Sequence, residues 1–323
     1  MNRGGFVRVL RTEQEIMQNW TGDLTKPAVS ITCIAYNHEP FIEDALEGIL
    51  IQETDFPFEI LIHDDASTDR TADIIREYEE KYPNLIKPIY QTENQFSQGR
   101  KPSMIVFPLC QGKYIAYCEA DDYWIDPKKL QIQVDFLEAN PDYVISGHDA
   151  FIIDENGNYV KDSKLPDGHK RDFSAEDLIL GNAWVLTMSW VLRNVFHDHV
   201  PERGMVTNGD NFLVSLLGHY GKSKYHSDIK PSCYRIHQGG IWSMLSQVEK
   251  RDSQINTWFW MYRYYLRVGE KKYSDHYWRR YQCRVISATA TRLIFKELVI
   301  QTLFLRNLKS ILRAILVRTG LKR

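Results

Sequence analysis

Of the 323 residues, 43% are hydrophobic and 25% charged, a globular composition that excludes disordered and collagen-like chains. No run reaches 18 consecutive apolar residues, and residues 1–25 hold no apolar leader, so a cytoplasmic protein without a spanning helix is expected. The formal net charge of −2 conceals an asymmetry: residues 251–323 contain 16 Lys/Arg and 4 Asp/Glu, leaving 24 and 38 for residues 1–250.

Residues 1–27 read as an N-terminal extension. The β-branched run VSITCIAY (29–36) is a buried strand, broken by Asn37-His-Glu-Pro40 and followed by a helix over 41–52 with Ile42, Ala45, Leu46 and Ile49 on one face. FEILIHD (58–64) is a second strand. A helix over 68–81 follows, with Ser67 or Thr68 as its N-cap. LIKPIY (85–90) is a third strand, and Pro88 assigns it to a sheet edge. After a polar loop at 91–101, a helix is expected over 102–110, a strand over 113–118, a helix over 127–139 started by Asp126-Pro127, and a strand over 143–148. Such alternation implies a largely parallel sheet covered on both faces. Beyond Ala150 it weakens. A hairpin turn is expected at 154–158, a polar connection at 161–172, a strand over 184–193, a helix from Gly209 and a glycine loop over 234–242. The five cysteines form no CxxC pair, which speaks against a zinc site or a disulfide framework.

Two acidic motifs follow predicted strands, where open α/β sheets bind ligands. In YCEADDYWID (117–126), Glu119, Asp121 and Asp122 crowd into four positions. Carboxylates so placed repel one another unless a cation joins them, and Mg²⁺ or Mn²⁺ prefers such oxygens. The structural alternative is an acidic turn leading into a helix. In HDDASTDRT (63–71), Asp64 and Asp65 can accept hydrogen bonds from a nucleobase imide or a ribose, or simply favour a helix N-terminus.

Taken in order, VSITCIAYN (29–37), DDASTDRT (64–71), EADDYW (119–124), NGDNFL (208–213) and YRIHQGG (234–240) resemble the motif series of family 2 glycosyltransferases. The resemblance implies an α/β fold of the GT-A type, a mostly parallel Rossmann-like sheet spanning 28–245. Residues 28–125 would be the nucleotide-binding half and 126–245 the acceptor half, with a basic, helical region over 246–323. It also implies an inverting transfer of a sugar from a nucleotide-diphosphate donor, UDP-sugars favoured, to a hydroxyl of a glycan or lipid-linked acceptor in bacterial surface-polysaccharide synthesis.

Asp121 would be the principal ligand of Mn²⁺ or Mg²⁺, with Glu119 or Asp122 supporting it or contacting the donor. His237 would be a further ligand, or else stabilise a turn beside Gly239. Ala35, Tyr36 and Asn37 would line the nucleotide pocket. Of Asp64 and Asp65, one would take the base and the other the ribose, and the sequence leaves the order open. Arg235 would pair with phosphate or with a carboxylate. Asp210 would be the general base, and Trp124 and Trp242 would offer sugar-stacking faces. The chain departs from the family pattern twice: Glu119 stands where Asp is usual, and Gly209 where Glu is common.

Residues 292–318 form an amphipathic basic pattern, suited either to an anionic membrane surface or to docking on the catalytic domain. No nucleic-acid motif accompanies the charge. A sugar-nucleotide pyrophosphorylase is disfavoured because residues 35–39 hold no glycine. A non-catalytic nucleotide-sugar binder of the same fold is the remaining alternative.

Overall fold

The computed structural model describes residues 10–195, 200–240 and 242–288. The chain divides into two compact units, Met1–Lys250 and Arg251–Arg323.

The first unit opens with α1 (Glu13–Met17), capped reciprocally by Thr12 and Glu15. It continues through β1 (Val29–Ala35), α2 (Ile42–Leu50), β2 (Phe58–Asp64), α3 (Thr71–Lys81), β3 (Ile86–Tyr90), α4 (Pro102–Val106), β4 (Tyr114–Tyr117), α5 (Lys129–Ala139) and β5 (Tyr143–His148). Next come β6 (Ala150–Asp154), β7 (Tyr159–Lys161), α6 (Ala175–Ile179), β8 (Val191–Arg193), α7 (Glu202–Met205), α8 (Gly209–Leu217), β9 (Lys222–His226) and β10 (Ser232–Ile236). Among the described residues, one sheet runs in the order β3-β2-β1-β4-β8-β5-β9 and a second in the order β10-β6-β7. β3, β2, β1 and β4 are parallel neighbours, and β8 is antiparallel to both β4 and β5. Pro88 lies on the edge strand, where its missing N–H is harmless.

The core explains the arrangement. β1 carries Val29, Ile31, Cys33 and Ala35 fully buried, between β2 on one side and β4 on the other. α2 covers the sheet with Ile42, Leu46 and Ile49. Gly48 makes the next step possible: a Cβ there would lie 2.8 Å from the backbone N and O of Trp124. The helix therefore packs directly on the chain leaving β4.

Local polar bonding moves several boundaries from where the periodicity predicts them. α3 starts at Thr71 rather than Thr68, because Asp69 accepts from the Thr71 N–H and hydroxyl, while Ser67 and Thr68 bond to Asn37. α5 starts at Lys129, because Asp126 accepts from the N–H groups of Lys128 and Lys230. The expected strand over 184–193 is reduced to β8. Residues 187–189 form a single 3₁₀ turn, closed by the Ser189 hydroxyl donating to the Leu186 carbonyl. The connection at 161–172 is anchored by Asp149, which accepts from Ser163, Lys164 and Leu165. The predicted glycine loop begins with a strand, β10, paired in parallel with β6.

In the second unit, α9 (Gln247–Arg267), which begins four residues before Arg251, is followed by α10 (271–288). They meet through aromatic rings: Tyr265 stacks on Tyr277 at 5.6 Å, and Tyr262 lies 4.9 Å from Trp278. The amphipathic pattern at 292–318 lies outside the described residues. Among those described, no helix is long and apolar enough to cross a membrane.

Candidate active site

Strands β1, β2 and β4 end at the same edge of the sheet, with Ala35 in register with Asp64. Two loops are locked together there. Asn37 takes a left-handed backbone (φ 54°), which Asn tolerates, and Ala66 does the same (φ 62°) at a cost of about 1–2 kcal/mol. Crossed hydrogen bonds compensate: Ser67 Oγ accepts from Asn37 N at 2.9 Å, and Asn37 Oδ1 accepts from Thr68 N at 2.8 Å. Asn37 thus ties the two loops together. Tyr36 beside it is exposed, and Ala35 is buried with its carbonyl accepting from Asp65 N.

The paired aspartates separate into two roles. Both oxygens of Asp65 are engaged, accepting from the N–H groups of Gln95 at 2.8 Å and Phe96 at 3.0 Å. Asp64 accepts from Ser67 N through Oδ2, while its Oδ1 is buried without a partner. A buried, unpaired carboxylate oxygen is costly, and a ligand donor would relieve it.

After β4, the chain turns sharply, Asp122 N donating to the Glu119 carbonyl. Tyr123 and Cys233 then exchange backbone hydrogen bonds at 3.2 and 2.8 Å, which holds β10 against this turn. Asp121 and His237 meet as a consequence, with 2.9 Å between Oδ2 and Nε2. His38, from the loop after β1, completes the group. One ligand atom from each of His38, Asp121 and His237 lies within 4.8 Å of the other two. Sequence reasoning missed His38. Its signal was its position, directly after the first strand motif.

The electrostatics suit a cation. Burial alone would raise Asp121, but the hydrogen bond from His237 and the neighbouring His38 hold it below the usual carboxylate range. Burial lowers His38, against the opposing pull of Asp121, and its Nδ1 is buried without a hydrogen-bond partner. Glu119 is pushed up to about 8 by burial and by Asp121, and its Oε2 is also unpartnered. Two imidazoles and a carboxylate form a mixed nitrogen and oxygen donor set that a divalent transition ion such as Mn²⁺ can accept.

Other predicted residues have different occupations. Asp122 turns away from the cluster and accepts from Arg235 N at 2.8 Å. The Arg235 guanidinium pairs with Asp44 at 2.7 Å, donates to the Asp121 carbonyl and packs over Phe41. Through these contacts it braces the turn. Trp124, expected as a sugar platform, is fully buried, with its indole N–H on the Met188 carbonyl at 2.6 Å and Lys129 Nζ 4.0 Å from the ring centroid. It is a core residue with no face to offer a sugar. Trp242 is 40% exposed, with Lys250 over its ring at 5.8 Å.

Asp210 sits exposed in the first turn of α8, where backbone N–H groups favour a carboxylate. Surrounding protein raises it, against the pull of Asn211 N–H and Lys101. Glu119 lies within electrostatic reach of both Asp121 and Asp210. Lys101, from the loop before α4, explains what Gly209 permits. Its Nζ lies 3.0 Å from where a Cβ on residue 209 would be, and 3.4 Å from the Thr207 carbonyl. Burial lowers this amine to about 8, against the opposing pull of Asp210. Nothing in the sequence marked Lys101, because its partner lies more than a hundred residues away.

Residues 30–199, more than half of the chain, match the model of Glycosyl transferase family 2, and the protein belongs to that family. It is 37% identical over 216 residues to the uncharacterized protein Rv1520 of Mycobacterium tuberculosis, a match spanning 66% of this chain and 60% of that one. An uncharacterized glycosyltransferase of Methanocaldococcus jannaschii, MJ1057, is 33% identical over 151 residues, covering 46% of this chain and 50% of its own. Among solved structures, S. aureus TarS 1–349 in complex with UDP-GlcNAc aligns with a TM-score of 0.53 and 18% identity, over 72% of this chain and 66% of that one. Mannosyltransferase PcManGT from Pyrobaculum calidifontis, in complex with GDP-Man and Mn²⁺, aligns with a TM-score of 0.51 and 15% identity, over 86% and 81%. At such identities the likeness is one of fold, the GT-A architecture.

Proposed function

We propose that the protein is a metal-dependent, inverting glycosyltransferase. It would move a sugar from a nucleoside-diphosphate donor to a hydroxyl of a glycan or lipid-linked acceptor, in surface-polysaccharide synthesis at the cytoplasmic side of the membrane. The catalytic domain would span 28–245. The observation that carries this reading is the meeting of His38, Asp121 and His237 at the strand edge that also presents the unpaired Asp64 oxygen.

Asp64 Oδ1 would accept from the base, and Asp65 would hold the 94–96 loop that closes over it. His38, Asp121 and His237 would hold Mn²⁺ or Mg²⁺, with Glu119 in reserve. A bound divalent ion supplies positive charge against the departing diphosphate. Asp210 would take the proton of the acceptor hydroxyl as that oxygen attacks the anomeric carbon, and one displacement with one base inverts the configuration. Lys101 would keep Asp210 ionised. Of Trp124 and Trp242, only the exposed Trp242 would offer a face to a sugar. The nucleotide sugars bound by TarS and PcManGT support a donor of this class, with UDP-sugars favoured here.

The test is calorimetric binding of UDP, GDP, CDP and dTDP with Mn²⁺, Mg²⁺ or EDTA. Binding of one nucleotide that EDTA and Asp121→Ala both abolish is expected. A folded protein that binds none of the four would overturn the proposal.

A further inference from the structure

Lys129, at the start of α5, is fully buried and takes no part in the chemistry proposed so far. Its Nζ lies 4.0 Å from the centroid of the Trp124 ring and donates to Gln133 Oε1 at 2.7 Å, one turn along the helix. Among the described residues no carboxylate pairs with it. A methionine would fill similar space without taking a charge out of water, so a lysine here destabilises the fold.

The contacts of the amine close a ring. Gln133 Nε2 donates to Ser146 Oγ on β5 and to the Ser189 carbonyl, both at 3.0 Å, which fixes the amide oxygen toward Lys129. The neighbouring carbonyl in the 187–189 turn, that of Met188, accepts from the Trp124 indole N–H at 2.6 Å. The indole is therefore held by its edge through Met188 and by its face through Lys129. Trp124 follows Asp121 by three residues, and Tyr123 beside it bridges to Cys233 on β10, the strand that leads to His237. What fixes the indole fixes the junction at which Asp121 and His237 meet.

We propose that Lys129 is a positioning residue for the metal cluster, acting through Trp124 as the charged ammonium. This role depends on the donor site proposed above. The ring quadrupole draws a cation to the indole face and has no such hold on a neutral amine, so deprotonation leaves the ring fixed by its edge alone. Cys118 at the end of β4, His148 on β5 and His226 on β9 lie within electrostatic reach of the amine. Asp126, just before the helix, is engaged with the N–H groups of Lys128 and Lys230. Burial lowers the amine to about 7, lowers both imidazoles and pushes the Cys118 thiol well up. Just above neutrality, Lys129 is thus the group of these four that changes charge.

The test is calorimetric binding of UDP, GDP, CDP and dTDP, with Mn²⁺ or Mg²⁺, to the full chain and to Lys129→Met. At about pH 6 the variant is expected to bind the parent's nucleotide about tenfold more weakly, the scale of lost supports around metal ligands. By about pH 8.5 the difference should fall below about twofold, because binding raises the amine by the same factor by which its charge strengthens binding. Glu119, His38 and His237 are common to both chains and cancel in the ratio. The variant sheds a buried charge, so its Tm at about pH 6 is expected to equal or exceed the parent's. A loss that is the same at both pH values, or that comes with a lower Tm, marks packing alone and overturns the proposal. Should Lys129→Met fail to fold, NMR of the parent with isotope-labelled lysine takes its place. The lowest-titrating amine should then move up by about one unit on adding Mg²⁺ and nucleotide, and an unmoved titration overturns the proposal. A parent that binds none of the four nucleotides removes the donor site and this role with it. Equal binding by the two chains at about pH 6 removes this role alone.

Discussion

The loops after β1 and β2 and the segment around Asp210 reach their geometry by different routes. In the first region, partners come from adjacent parallel strands. Asn37 and Thr68 are 31 residues apart, and their separation is set by the register of Ala35 with Asp64. In the second, the contact between Lys101 and Thr207 spans 106 residues, and no shared ladder fixes it. A region built on neighbouring strands is stiff and locally encoded. A region assembled from distant loops can change with its acceptor while the sheet remains as it is.

The largest expected effect tests whether the second region does chemistry at all. Asp210→Asn keeps the size and the helix position but cannot take a proton. Turnover with an identified acceptor should fall by about 10²–10⁴-fold, while nucleotide binding stays unchanged. Unchanged turnover would remove Asp210 from the mechanism and favour a role confined to the helix N-terminus. Next in size is the metal group. His38→Ala should weaken Mn²⁺-dependent nucleotide binding by at least about tenfold, as lost ligands and their supports commonly do. Asp122→Asn should instead lower thermal stability, because its carboxylate bonds to Arg235 N and stands outside the cluster. Equal losses of binding from both variants would dissolve the distinction.

The sequence made the strand edge legible and left much of the second region dark, for one physical reason. β1, β2 and β4 are short, apolar and buried on both faces, so their ends and the motifs that follow are readable from pattern alone. Asp121 and His237 were readable as individual residues. Their 2.9 Å contact was not, since it depends on β10 joining β6 in a second sheet and on the Tyr123–Cys233 bridge. His38 escaped because a histidine in a turn carries no periodicity. Trp124 misled for the opposite reason: it stands beside the motif in sequence, while Gly48 draws α2 onto its backbone and shuts the ring into the core.

Within the first region, the two aspartates offer a finer division. Asp64→Asn should weaken nucleotide binding several-fold, since its free oxygen is the one available to a ligand. Asp65→Asn should leave the base contact intact. It replaces one of two acceptors for the Gln95 and Phe96 N–H groups with a donor, and a loss of about 1–3 kcal/mol of stability is expected. Chemical denaturation and nucleotide titration on the same two variants would separate these outcomes, and the reverse pattern would exchange the roles.

The smallest expected effect asks how Gly209 and Lys101 work together. A Glu at 209 would meet Lys101 Nζ, whereas Gly209 leaves room for the amine beside Asp210. A cation there favours the ionised base, so it lowers the carboxyl that the surrounding protein raises. Lys101 itself is charged below about 8 and loses that charge above it. In Lys101→Met, the carboxyl must therefore titrate at higher pH. The acid limb of the pH–rate profile should move upward by up to about one unit, the scale of a single neighbouring charge. The direction is the decisive reading. A limb that stays fixed would show that Lys101 only fills the space beside Gly209, and a limb that moves downward would mean that the amine acts on a group other than Asp210.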